Sequence, residues 1–169
     1  MTDTILYFAY GSNMMIKRLK GRAPSAISQQ TGFVQRHRLT FDKVSRDGSG
    51  KCDLEPTGID SDRVYGVLFR IEASEEINLD EAEGLGKGYQ KAEIMVTTSN
   101  GEMTALAYIA TKKDPARLPY HWYKALVIAG AVEHNLPASY VEWLRAVPSQ
   151  PDPKLDRVRK NEALLLESS

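Results

Sequence analysis

Strand-like and helix-like segments do not alternate along this chain, and that order restricts its fold more than any single motif. An apolar and aromatic stretch, Thr4 to Tyr10, stops at Gly11 and reads as a buried strand entering a turn. Ser12 or Asn13 is placed to cap a helix that begins at Met14, carries Met15 and Leu19 at helical spacing and ends at Gly21. Strands then follow one another. One or two span Thr31 to Val44, a loop is expected at Asp47 to Gly50, and Val64 to Ile71 alternates, with Tyr65, Val67, Phe69 and Ile71 as the set expected to face a core. Tyr89 to Thr98 and Met103 to Ala110 are joined by Ser99-Asn100-Gly101, whose Asn-Gly pair is a strong hairpin signal. One short helix interrupts the series, with Ser74 as its expected N-cap and Gly84 as the left-handed residue that ends it. Helices cluster late: a stripe of Trp122, Leu126, Ala129 and Val132, a shorter helix from Pro137 to about Ala146, and an amphipathic segment from Lys154 to Glu167.

A doubly wound parallel sheet needs regular strand–helix alternation, which is missing here. The expectation is an α+β fold with a small mixed or antiparallel sheet, curled into a barrel and flanked by helices. At 169 residues the chain suits one core. Residues 1–147 read as the domain, and 148–169 as a linker holding Pro148, Pro151 and Pro153 with a terminal helix that docks or frays. That tail is compatible with docking on its own subunit or with closing a homodimer.

Charge and cysteine usage remove several classes of function. Lys plus Arg and Asp plus Glu each total 22, so no net field draws in nucleic acid or an anionic membrane. Cys52 is the one cysteine, which leaves no disulfide and no thiolate pair for zinc. His37, His121 and His134 show no ligand spacing, so no metal site is expected. The start lacks the apolar stretch of a signal peptide, and the small-apolar run Ala125 to Val132 is far short of the ~20 residues that span a bilayer. A cytoplasmic protein with no membrane partner is the expectation.

Gly84-Leu85-Gly86-Lys87-Gly88 fails as a nucleotide loop because it follows a helix and its glycines are mis-spaced. Arg36-His37-Arg38 reads as a solvated strand face. Two features remain. Tyr7-Phe8-Ala9-Tyr10-Gly11-Ser12-Asn13 brings a buried strand to a glycine turn, where unpaired N–H groups can meet a carboxylate or an oxyanion; a plain strand–helix connection reads equally well. In Leu79-Asp80-Glu81-Ala82-Glu83-Gly84, Asp80 and Glu83 share a helix face, so each carboxylate disfavours ionisation of the other. The helix's negative end and burial would add to this and make Glu83 a candidate acid/base, against the plainer reading of a solvated acidic face.

Phe8-Ala9-Tyr10-Gly11-Ser12-Asn13-Met14 and Leu79-Asp80-x-x-Glu83-Gly84 together resemble the gamma-glutamylcyclotransferase family. Gly32-Phe33 through Leu39-x-Phe41, Val64-Tyr65-Gly66-Val67-Leu68, Tyr123-Lys124 and Gly130-Ala131-x-Glu133-x-Asn135-Leu136-Pro137 extend the resemblance, in family order, over Leu6 to Leu144. It implies a barrel-like mixed sheet with flanking helices and a cofactor-free conversion of a small gamma-glutamyl amino acid or amine to 5-oxoproline and free amine. It further implies Glu83 as acid/base, Tyr7, Phe8, Ala9, Tyr10, Gly11, Ser12 and Asn13 around the glutamyl group, and Tyr123 as a nearby hydroxyl. Rival readings are release from glutathione or a larger amine, and non-catalytic binding of a small carboxylate. The chain departs from the family pattern at Gly50-Lys51-Cys52-Asp53 and at Gly86-Lys87-Gly88-Tyr89, which leaves the leaving amine open. Lys51 and Lys87 could favour a carboxylate on it, though such lysines are usually just solvated.

Overall fold

The computed structural model describes residues 3–166. In chain order these form β1 (Thr4–Ala9), a 3-10 turn (Ser12–Met14), α1 (Ile16–Lys20), β2 (Ile27–Gln35), β3 (His37–Val44), β4 (Gly50–Pro56) and β5 (Arg63–Glu72). A second 3-10 turn (Ala73–Glu75) leads into α2 (Glu76–Glu83), followed by β6 (Tyr89–Thr98), β7 (Gly101–Ala110), α3 (His121–Glu133), α4 (Ala138–Arg145) and α5 (Leu155–Leu166).

A closed barrel in the order β1-β5-β2-β6-β7 is the centre of the fold, and β3 and β4 pair as a separate antiparallel sheet. Neighbouring barrel strands are antiparallel except where β1 meets β7, a parallel contact at Tyr7 and Leu106 that closes the ring. The expected α+β barrel with flanking helices is the architecture found. In the β6–β7 hairpin Thr98 pairs with Gly101, so Ser99-Asn100 is the tip and Gly101 already belongs to β7.

Several expectations are corrected. β5 buries both faces: Val64 and Leu68 are as enclosed as Val67, Phe69 and Ile71, while Tyr65 is only half-buried. One face is covered by the helices, where Phe69 meets the ring of His134 and Tyr65 that of Tyr140. β4 was hidden behind the turn-rich Asp47 to Gly50. It is fixed to the barrel through Asp53, which accepts the Ala110 N–H at 2.8 Å and pairs with Lys113 at 2.8 Å. The stripe expected on α3 is displaced, because this helix packs on the Ser12–Met14 turn, α4 and α5 together. Trp122, Tyr123, Leu126, Val127, Gly130 and Ala131 are buried, Ala129 is half-buried and Val132 is exposed. Ser74 does not cap; it lies inside the 3-10 turn, and α2 starts at Glu76 with no side-chain cap bond.

α5 lies along α3. Asp152 just before it accepts from the Trp122 indole at 2.9 Å and binds the Arg157 guanidinium at 2.5 and 2.6 Å, and Val158, Leu164 and Leu165 pack on the core. The expected end of this helix, Glu167, falls outside the described residues. Among the described residues no helix is long and apolar enough to cross a membrane.

Candidate active site

β1 carries the chain inward to the site. Tyr7, Phe8 and Ala9 are all enclosed, and after Gly11 the backbone winds into the 3-10 turn, where Met14 N–H bonds the Gly11 carbonyl at 3.1 Å and Met15 N–H that of Ser12 at 3.3 Å. Among the described residues the N–H groups of Gly11, Ser12 and Asn13 have no such partner. The turn is held from behind by the end of α3. Glu133 Oε2 accepts the Ile16 N–H at 2.9 Å, and His134 Nε2 lies 2.8 Å from the Met14 carbonyl. Gly130 allows this approach, since a Cβ there would stand 2.7 Å from Met14 Cβ and from the Met15 nitrogen. The helix expected from Met14 begins two residues later, at Ile16, and neither Ser12 nor Asn13 caps it. Both side chains are committed elsewhere.

Asn13 points back across the turn. Its Nδ2 donates to Glu83 Oε1 at 2.6 Å and to the Tyr7 hydroxyl at 3.1 Å, and its Oδ1 accepts from Arg22 at 2.8 Å. Ser12 Oγ accepts from Arg18 Nε at 2.9 Å. Glu83 reaches the turn from the last residue of α2, after which Gly84 takes φ +70°, ψ +48° and reverses the chain. Leu79 anchors α2 in the core, and Lys91 on β6 clamps its outer side through Glu76 at 2.5 Å and Asp80 at 3.0 Å.

The like-charge partner expected for Glu83 is therefore corrected. Asp80 is paired with Lys91 and accepts from the Tyr108 hydroxyl at 2.6 Å, while the charge beside Glu83 is the Arg22 guanidinium at 3.6 Å. The Glu83 side chain keeps 17% of its surface exposed.

These groups line a narrow cleft of about 290 Å³, open solvent at its mouth included, formed by Tyr7, Tyr10, Gly11, Ser12, Asn13, Glu83 and Tyr123, together with Cys52, Tyr89 and Tyr108. Phe8 and Ala9 do not line it; they pack in the core. Tyr108 escaped sequence reading, and Cys52 and Tyr89 entered it only within the two segments that depart from the family pattern. Cys52 sits on the unexpected β4, and only strand register brings the two tyrosines to this point. A signal existed for Tyr89, the first residue after the glycine-rich exit from α2. Tyr123 OH accepts the Cys52 N–H at 3.0 Å and Tyr89 OH donates to the Cys52 carbonyl at 2.6 Å, so two phenols hold both backbone groups of one residue of β4.

Burial raises the Tyr7, Tyr10, Tyr89, Tyr108 and Tyr123 phenols above their ordinary range. It also pushes the Cys52 thiol up to about 12. At neutral pH all six stay protonated and useless as bases; Tyr10, Tyr89 and Tyr108 already donate to protein oxygens, while the Tyr7 and Tyr123 hydroxyls accept and so keep a proton to offer. Among the described residues that line the cavity, Glu83 supplies the carboxyl.

Residues 63–144 match the AIG2-like family model. A gamma-glutamylcyclotransferase of Mus musculus is 34% identical over 96% of this chain and 92% of its own length. The chain belongs to the gamma-glutamylcyclotransferase family. The Homo sapiens gamma-glutamylcyclotransferase is 35% identical over 86% of this chain and 79% of its own. A solved structure titled gamma-glutamyl cyclotransferase superposes with a TM-score of 0.81 at 30% identity, covering 94% of this chain and 99% of that one. In this gamma-glutamylcyclotransferase-family chain the two segments that carried the resemblance, remote in sequence, meet at the Asn13–Glu83 hydrogen bond.

Proposed function

We propose that the protein is a gamma-glutamylcyclotransferase whose Glu83 moves the proton while the turn Gly11 to Asn13 holds the glutamyl carbonyl. The observation that carries this reading is the Asn13 Nδ2–Glu83 Oε1 bond of 2.6 Å, which places a carboxylate and a set of N–H groups on one small cavity. The substrate's own α-amine attacks its γ-carbonyl carbon, so the enzyme's main task is to hold the chain folded back, an entropic contribution that needs no second reactant. As the new C–N bond forms, Glu83 takes a proton from the attacking amine and the carbonyl oxygen gains charge beside the N–H groups of Ser12 and Asn13. The tetrahedral centre then collapses to the lactam, the old C–N bond breaks, and Glu83 returns the proton to the departing nitrogen. The buried phenols exclude water throughout.

Purified protein is incubated with gamma-glutamyl dipeptides and the 5-oxoproline formed is measured. Glu83→Gln keeps the hydrogen-bonding shape but cannot carry the proton, and its kcat is expected to fall by about 10²–10⁴-fold. Full activity in this variant, with an unchanged melting curve, would overturn the assignment.

A further inference from the structure

A second, wider cavity of about 840 Å³, open solvent included, adjoins the first, and Glu83, Tyr89 and Tyr123 line both. Its wall carries Arg18, Arg22, Lys43, Arg46, Lys51 and Lys87 against two acids, Glu81 and Glu83. In a chain of zero formal net charge this is a local concentration of positive charge, and a concave wall focuses its field.

Two of the six cations already serve the glutamyl side, Arg18 through Ser12 and Arg22 through Asn13 and Glu83. Of the other four, Lys51 has an ion-pair partner in Asp47, while Lys43, Arg46 and Lys87 have none among the described residues. Lys43 is 9% exposed, its ammonium lies 4.5 Å above the Tyr89 ring, and among the described residues no carboxylate lies within ion-pair distance of it. Lys51 lies over the Trp122 and Tyr123 rings and pairs with Asp47 at 3.5 Å. Arg46 and Lys87 stand exposed at the mouth. Burial lowers the Lys43 ammonium from its ordinary range and pushes that of Lys51 down to about 8, the mark of cations held at a cost. A ligand that brings its own negative charge removes that cost.

Position says which end of the substrate this is. The departing nitrogen must sit against Glu83 to receive its proton, the glutamyl portion fills the narrow cavity on one side, and the remainder of the leaving group extends past Glu83 into the basic chamber. Resting on the cyclotransferase reading, we infer that the chamber formed by Lys43, Arg46, Lys51 and Lys87 selects leaving amines carrying two or more acid groups, such as a dicarboxylic amino acid.

The test compares kcat/KM for gamma-glutamyl-alaninamide, gamma-glutamyl-alanine and gamma-glutamyl-glutamate, whose leaving amines carry no, one and two carboxylates. At low salt the last is expected to exceed the first by about tenfold or more, with the ratio shrinking as salt rises. Lys43→Met and, separately, the exposed Lys87→Ala are expected to reduce that ratio. Equal kcat/KM across the three substrates overturns this inference and leaves the cyclotransferase reading standing. Absence of turnover on all three sinks the cyclotransferase reading. In that event calorimetric binding of free glutamate decides the chamber by itself: weaker binding to Lys43→Met than to wild type supports it, and identical binding overturns it.

Discussion

Asn13 is the residue through which the site is assembled. One amide joins the Tyr7 hydroxyl, the Glu83 carboxylate and the Arg22 guanidinium, so it fixes where the carboxyl points as well as where the turn lies. Asn13→Asp has nearly the same shape but replaces the donor with an anion 2.6 Å from Glu83 Oε1. Repulsion should turn Glu83 out of the cavity, and misplacement of this order costs about 10²-fold in kcat/KM. Steady-state kinetics beside a thermal melt would check it, because a variant that merely unfolds loses the folded fraction instead. Asn13 and Glu83 stood out within their two segments, and both line the cavity. Their direct bond was not legible, since 70 residues separate them. Lys43 gave no signal at all: its burial follows from the Tyr89 ring beneath it and the Gly88 backbone that passes close by.

At the scale of elements, the site turn depends on α3 more than on its own helix. α1 has five residues and no side-chain cap, too little to hold a turn in water by itself. Glu133, His134 and the bare surface at Gly130 supply the support. Gly130→Ala forces the helix off Met14 and Met15 and should destabilise the fold by about 1–3 kcal/mol, readable as a lower urea midpoint with an unchanged slope. The hairpin β6–β7 and the end of α2 were legible because Asn-Gly and Gly84 act locally through the backbone. β4 was not, because its residues acquire strand character from pairing with β3 and from Asp53 bonding the Ala110 N–H.

Over the whole molecule, the terminal helix is tied back through Asp152, whose enclosed carboxylate binds the Arg157 guanidinium, the Trp122 indole and the Lys154 N–H. The Arg157 guanidinium holds this carboxyl well below the usual carboxylate range. A group depressed in the folded state stabilises fully above its unfolded value, about 4, and that contribution fades as pH falls from there toward the native value. Asp152→Asn is accordingly expected to melt about 5 °C below wild type at pH 7, with the gap closing progressively below about pH 4. Melting temperature measured from pH 3 to 8 on both proteins checks this, and a gap independent of pH would show that the ion pair contributes nothing.

The amino-acid order alone determined the fold class, the hairpin, the C-terminal end of α2 and the two segments that meet at the cavity, because each is written in local patterns: period-two apolar runs, glycine at a left-handed position, an Asn-Gly turn. Closure of the barrel between β1 and β7, the tyrosine lining, the pairing of Asp80 with Lys91 away from Glu83 and the gathering of basic side chains beside the site were settled by packing. They bring together residues tens of positions apart, and no local pattern encodes which distant side chain will share a wall.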